Sequence, residues 1–291
     1  MARSALCVGI NEFKNLPMSS WLSGCVNDAE DISKALRKYG FTARNTTVIT
    51  DSDALKPAII GALDRMITKA KAGDHLVFSF SSHGTQVPNH RDDDDEPDGL
   101  DEAFACYDIR RDGDQWDAAT VILDDELREL FERVPAGVLI EVLLDTCHSG
   151  TGLKNLEDLQ LDLLRGRRPR FLPPPTPKAV RQARSIRDLP TPRSDDHKPL
   201  RDLVTSRRTA AKPVLFAACK PNQTASDATF EGRANGAFTY LFLKALAGTP
   251  GGTRAELLKA VTAGLKADDF EQRSTLEGPL KAKRAAFGQL W

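Results

Sequence analysis

Net charge is almost absent from this chain of 291 residues: 40 Lys and Arg stand against 41 Asp and Glu, a formal -1. So weak a global field does not gather nucleic acid or an anionic membrane, and neither is expected as a partner. No apolar run approaches the ~18 residues of a membrane span, and the N-terminus lacks the long apolar stretch of a secretory signal. Cysteine is scarce and odd in number: Cys7, Cys25, Cys106, Cys147 and Cys219. Scattered in this way, they argue against a disulfide framework and for a reducing, cytoplasmic setting. Neither Cys-x-x-Cys nor His-Glu-x-x-His occurs, which removes the usual zinc sites. What remains is ordinary globular composition, 41% hydrophobic and 28% charged, in a length that builds one large or two small domains.

Two stretches carry chemistry. Residues 138–144 are almost all branched and apolar, the pattern of a strand buried on both faces of a parallel sheet. They run into Asp145-Thr146-Cys147-His148-Ser149-Gly150. Ligands of open α/β sheets bind beyond the carboxyl ends of strands, so a thiol there stands in a catalytic position. Cys147 alone reads equally as a small buried residue ending a strand. A second strand with the same ending shifts the balance: residues 75–81, followed by Ser82-His83-Gly84. If the two strands are adjacent and parallel, ~4.8 Å apart, His83 and Cys147 emerge side by side. A base beside a thiol generates the nucleophilic thiolate.

Around these, the pattern is doubly wound. Residues 4–10 read as a strand. A helix follows from Asn27, its cap, with Glu30 three residues on and Ala29, Ile32, Ala35, Leu36 and Tyr39 at helical spacing. A strand at 46–50 precedes a helix capped by Asp53 and reaching about Ala72. Residues 104–107 and 120–123 read as a surface hairpin, with Phe104, Tyr107 and Trp116 as packing residues. Asp124 caps a helix bearing Leu127, Leu130, Phe131 and Val134. Residues 213–220 form another buried strand, 236–247 an apolar helix, and Thr253 to Glu256 a capping box opening one more helix. The tail packs as a last edge strand and cover.

The strings Ser81-Ser82-His83-Gly84-Thr85-Gln86 and, about sixty residues later, Asp145 to Gly150 resemble the caspase-like (clan CD) cysteine peptidases, and most of all the metacaspases and bacterial orthocaspases. Animal caspases carry Gln-Ala-Cys-x-Gly at the nucleophile, and Asp145 stands where they have Gln. Further strings, Gln223 to Asp227 and Gly236 to Thr239, are similar to metacaspase segments, so the likeness covers about 5–248 apart from one long insert, most of the chain. It implies a caspase–haemoglobinase α/β fold: about six mostly parallel strands with helices on both faces. It implies a cysteine endopeptidase with Cys147 as nucleophile, His83 as acid–base and the N–H groups of Gly84 and Cys147 as oxyanion hole. In the family, residues matching Cys25, Asp28, Ser81 and Asp145 line the pocket for the side chain before the scissile bond. Two carboxylates there would select a cation, so the implied substrates are proteins or peptides cut after Arg or Lys. No cofactor is needed for the chemistry. Acidic segments at Asp98, Asp124 and Asp125 are similar to those that bind calcium in many metacaspases and imply calcium as an activator, although Lys154 occupies a place where the family often has another Asp.

The same reading divides the chain into a large part at 1–153, a flexible linker at 154–212 and a small part at 213–291. The linker holds eight of the seventeen prolines, with a short helix expected at 156–164 and a solvated His197. A structureless segment this long inside a compact domain is uncommon and usually functional or disordered. In an enzyme that cuts after Arg, its Arg165, Arg167, Arg168, Arg170, Arg181 and Arg184 become candidate processing sites of a zymogen, cut by itself or by an upstream protease. Two rivals are a caspase-like protease of other specificity and a caspase-fold interaction module without turnover. Intact Cys147 and His83 argue against the second.

Overall fold

The computed structural model describes residues 1–88, 100–147, 165–176, 213–220 and 223–291. In chain order these form β1 (Arg3–Gly9), α1 (Cys25–Leu36), β2 (Thr46–Thr50), α2 (Lys56–Lys69), β3 (His75–Ser81), β4 (Gly84–Pro88) and β5 (Leu100–Ala105). There follow β6 (Arg111–Asp112), β7 (Gln115–Trp116), β8 (Val121–Leu123), α3 (Asp124–Glu132), β9 (Leu139–Asp145) and β10 (Arg168–Pro169). The small part adds β11 (Val214–Ala217), β12 (Ser226–Phe230), β13 (Arg233–Gly236), α4 (Ala237–Gly248), α5 (Arg254–Ala267), β14 (Thr275–Glu277) and α6 (Leu280–Arg284). Among the described residues no helix is long and apolar enough to cross a membrane.

Six strands make the central sheet, in the order β14-β11-β9-β3-β1-β2. All neighbours pair in parallel except β14, which closes the edge antiparallel to β11. Side chains of a strand alternate between faces, and the core divides accordingly. Leu76, Phe78 and Phe80 of β3 and Ile140, Val142 and Leu144 of β9 pack with α2 and α3 on one face. Val77, Leu139 and Leu143 face α1, α4 and α5 on the other. This double burial is why both strands read as unbroken apolar runs. The register pairs Ser81 with Asp145, so β3 and β9 end level and deliver His83 and Cys147 from neighbouring strands at one height.

Three helix starts differ from the sequence pattern. α1 begins two residues before Asn27, capped at Gly24 without any side chain of its own. The orphan N–H groups of Cys25 and Val26 donate instead to Asn11 Oδ1, at 2.8 and 3.3 Å, and Asn27 donates to the Ala234 carbonyl. Asp53 lies in a single 3-10 turn and α2 starts at Lys56, with a proline in its first turn, where no N–H is needed. Asp124 is the first residue of α3 instead of its cap, and Glu126 reaches back to the Leu123 N–H at 2.9 Å. The Thr253–Glu256 capping box of α5 is formed as expected.

The far face holds a buried ion pair. Glu141, in the middle of β9 and fully buried, accepts from Arg254 Nε at 2.6 Å and pairs with His75 Nε2 at 2.7 Å. Arg254 spends its remaining donors on the Ala282 and Gln289 carbonyls and lies 5.6 Å from the Trp291 ring. The C-terminal tail is thereby tied to the central sheet.

Candidate active site

Residues 165–176 fall inside the stretch expected to be a structureless linker, and they lie in the cleft at the carboxyl end of the sheet. β10 pairs antiparallel with β12, Arg168 opposite Asp227 and Pro169 opposite Ser226. The chain continues with Arg170 N–H donating to the Ala225 carbonyl at 2.9 Å. Beyond it, Phe171 bridges to Gly84 in parallel, the Leu172 N–H donates to the Gly84 carbonyl at 2.8 Å, and the Thr85 hydroxyl donates to the Leu172 carbonyl at 2.8 Å. An extended segment held by an added-strand ladder on both sides of one residue is how a peptide lies in a cleft.

That residue, Arg170, is fully buried. Its Nη2 donates to Asp28 Oδ2 at 2.7 Å and to Asp227 Oδ1 at 2.8 Å, while Nη1 lies 3.1 Å from Asp145 Oδ1 and donates to the Asp145 carbonyl at 2.9 Å. Each carboxylate is braced from behind. Asp28 accepts from Asn235 and the Gly236 N–H, Asp145 from the N–H and hydroxyl of Thr239, and Asp227 from the N–H groups of Ser23 and Gly24. A Cβ at Gly236 would collide with Asp145 and the Arg170 guanidinium, so only glycine fits there. Three carboxylates around one cation leave excess negative charge in a water-poor site. Burial pushes Asp28 up to about 7, with Arg170 pulling it down and Asp145 adding to the rise.

The carbonyl of Arg170 accepts from the Gly84 N–H at 3.0 Å and from the Cys147 N–H at 3.3 Å. Cys147 is buried, its thiol donating to the Gln223 carbonyl at 2.8 Å, and Cys219 adjoins it, its own thiol driven well up by hydrogen bonding to Cys147 and by burial. His83 is 4% exposed, its ring 5.1 Å from that of Phe13. Its Nε2 meets the Ser20 carbonyl at 2.7 Å. A carbonyl only accepts, so Nε2 carries the proton and the buried, unpartnered Nδ1 presents its lone pair. Burial pulls His83 down to about 4, against the Ser20 hydrogen bond, so the imidazole is neutral near pH 7.

Of the sequence-derived pocket residues, Asp28 and Asp145 touch the guanidinium. Cys25 is buried beside them as a thiol raised well above its ordinary range by desolvation, and Ser81 is buried in register with Asp145. Asp227 is the pocket residue that sequence reasoning left without a role. Its signal was present in the Gln223 to Asp227 string, as a third carboxylate on a loop similar to that of the family. The Ser20 carbonyl that orients His83 is a backbone group and has no sequence signature. Arg165, Arg167 and Arg168, like Arg170, are placed along the cleft, whereas Arg181, Arg184, Lys154, His197 and the helix expected at 156–164 lie outside the described residues.

Of the acidic residues, Asp98 also lies outside them. Asp124 is buried with Oδ2 unpartnered and is pushed well up by burial and then by Glu102, Asp125 and Asp101. Asp125 is engaged by Arg128 at 2.7 Å. Among the described residues no three His, Cys, Asp or Glu groups converge tightly enough to hold a metal ion.

Sheet order, helix placement and the thiol–imidazole cleft together define a caspase-like α/β protein. A solved protein from Geobacter sulfurreducens superimposes with a TM-score of 0.68 at 25% identity, over 100% of this chain and 99% of that one. The model of the metacaspase, peptidase C14 domain family matches residues 3–156, and the chain belongs to that family. It is 29% identical over 301 residues to Metacaspase-1 of Cryptococcus neoformans, covering 94% of this chain and 62% of that protein. It is 32% identical over 164 residues to Metacaspase-8 of Arabidopsis thaliana, covering 54% of this chain and 40% of that protein. The chain thus spans under two thirds of the length of these curated relatives.

Proposed function

We propose that this protein is a cysteine endopeptidase that cleaves after Arg or Lys and is made as a zymogen whose own Arg170–Phe171 bond is the processing site. One observation carries the reading: the Arg170 guanidinium sits among Asp28, Asp145 and Asp227 while its carbonyl oxygen is held by the Gly84 and Cys147 N–H groups. A bound substrate residue needs both of these at once. Three pocket carboxylates argue against a preference for Asp, and among the described residues Arg170 is the arginine whose carbonyl meets the Gly84 and Cys147 N–H groups.

In the proposed reaction His83 Nδ1 takes the Cys147 proton and the thiolate attacks the Arg170 carbonyl carbon. The oxyanion that forms is held by the two N–H groups. His83 then returns the proton to the Phe171 nitrogen as the C–N bond breaks, leaving a thioester on Cys147. Water, deprotonated by His83, attacks the thioester and frees the Arg170 carboxylate and the thiol. The resting thiol donates to the Gln223 carbonyl, and the desolvated imidazole is a weak base. Both features are those of a latent enzyme. The strands on either side of the cut share the central sheet through β9 and β11, so the fragments stay together.

Calcium activates the enzyme at the unpartnered Asp124 oxygen, with further ligands required beyond Asp124 and Asp125. The test is cleavage of peptides differing only in Arg, Lys or Asp before the cut, beside Cys147→Ala. Cleavage after Arg and Lys that disappears in Cys147→Ala is expected. Cleavage after Asp, or an active Cys147→Ala protein, overturns the reading.

A further inference from the structure

Four and six residues from the proposed cut, on the side of β10, the same segment enters a second cation site. The Arg167 guanidinium stacks on Phe270, 4.0 Å from the ring centroid. Its Nη1 donates to the Asp269 carbonyl at 2.7 Å and its Nη2 to the Asp268 carbonyl at 2.6 Å. Those carbonyls lie just past the end of α5, where Asp268 is the cap residue. The last carbonyls of a helix lack intrahelical partners and sit at the negative end of its dipole. Asp269 takes φ +59°, which turns the chain off the helix, and its side chain pairs with Arg165 at 2.8 Å. The wall behind Phe270 is aromatic, Phe230 being 6.0 Å from it and stacked on Tyr240 at 4.1 Å. A cavity of about 430 Å³ opens between these groups.

We infer that Asp268, Asp269 and Phe270 form a second specificity site, which reads an arginine four residues before the scissile bond. The enzyme's substrates then carry two cations in the frame Arg-x-x-Arg, as Arg167 to Arg170 does. This rests on the protease reading above and adds a sequence requirement to it. A planar guanidinium meets the requirement better than an ammonium, because it covers the Phe270 face while pointing two N–H groups at two carbonyls. Arg168, between the two sites, is exposed, and among the described residues its side chain donates to the Trp21 carbonyl alone, so the third position is read more weakly.

The experiment uses the full chain and four fluorogenic peptides. The parent carries Arg-Arg-Pro-Arg before the reporter. The others replace its first Arg by Ala, its first Arg by Lys, or its last Arg by Ala. Replacing the first Arg by Ala is expected to lower kcat/KM about tenfold, chiefly through KM, since the contact is remote from the bond that breaks. Lys falls between. Phe270→Ala lowers the Arg-to-Ala ratio at that position severalfold, leaving what the two carbonyls contribute. Equal cleavage of the Arg and Ala peptides by the unaltered enzyme, with the last-position Ala peptide uncut, overturns this inference and leaves the protease reading standing. If no peptide is cut, both fall. The comparison in the unaltered protein decides the matter even if Phe270→Ala fails to fold.

Discussion

Replacing Arg170 by Ala removes the only cation that the described structure sets among Asp28, Asp145 and Asp227. Stripping one partner from a fully desolvated pair costs about 3–5 kcal/mol, most of it the penalty of a buried charge left alone. If the segment stayed in place, the loss would lower the melting temperature by roughly 5–15 °C. The ladder on either side is short, however, so the altered segment is expected to leave the cleft and let water reach the carboxylates. Processing then loses the same interaction energy, a rate about 10²–10⁴-fold lower at this bond. Arg170→Lys keeps the charge but not the fork that reaches three carboxylates, and falls between. Intact-mass analysis during incubation reads the outcome directly, as paired fragments ending at Arg170 and beginning at Phe171. The reasoning is refuted if Arg170→Ala breaks at this bond as fast as the parent, or if the parent matures elsewhere with the bond intact.

Asp227→Ala should weaken cleavage of Arg peptides and also destabilise the start of α1, because Ser23 and Gly24 lose their acceptor; unchanged KM for an Arg peptide would remove Asp227 from the pocket. Glu141→Ala should unfold the protein more readily by about 3–5 kcal/mol, measured by denaturant titration, since it strands buried Arg254 beside His75; a loss under 1 kcal/mol would mean that the buried pair is dispensable. His83, lowered from 6.5 to about 4 by burial, binds its proton more readily in the unfolded chain. Its contribution of about 3 kcal/mol is whole above pH 6.5 and is lost as pH falls toward 4. Asp28, raised from 3.8 to about 7, works in the opposite direction, losing stability as pH rises across that range, so the check is the NMR titration of the His83 ring in uncut protein. A midpoint near 6.5 would contradict the desolvated site. Excess chelator should silence cleavage if a cation relieves Asp124, and full activity in chelator would dismiss calcium.

Local pattern alone determined most of the frame. Unbroken apolar runs at β3 and β9 marked strands buried on both faces, and the polar strings after them marked where a thiol and an imidazole would meet. Strand register then fixed their common height, through the pairing of Ser81 with Asp145. Helix starts were less legible, because the groups that cap α1 come from Asn11 and Asp227, far away in sequence. The seat of Arg170 was not legible at all. Apart from Phe171 and Leu172, its neighbours in sequence are prolines and arginines, which signal an absence of structure since they bury little and form no helix or regular strand. The partners that order it are Asp28 from α1, Asp145 from the end of β9 and Asp227 from β12, with ladder bonds from Ala225 and Gly84. Only the folded sheet brings those five residues together, so whether this arginine was a solvated linker residue or the occupant of the pocket was decided by tertiary structure.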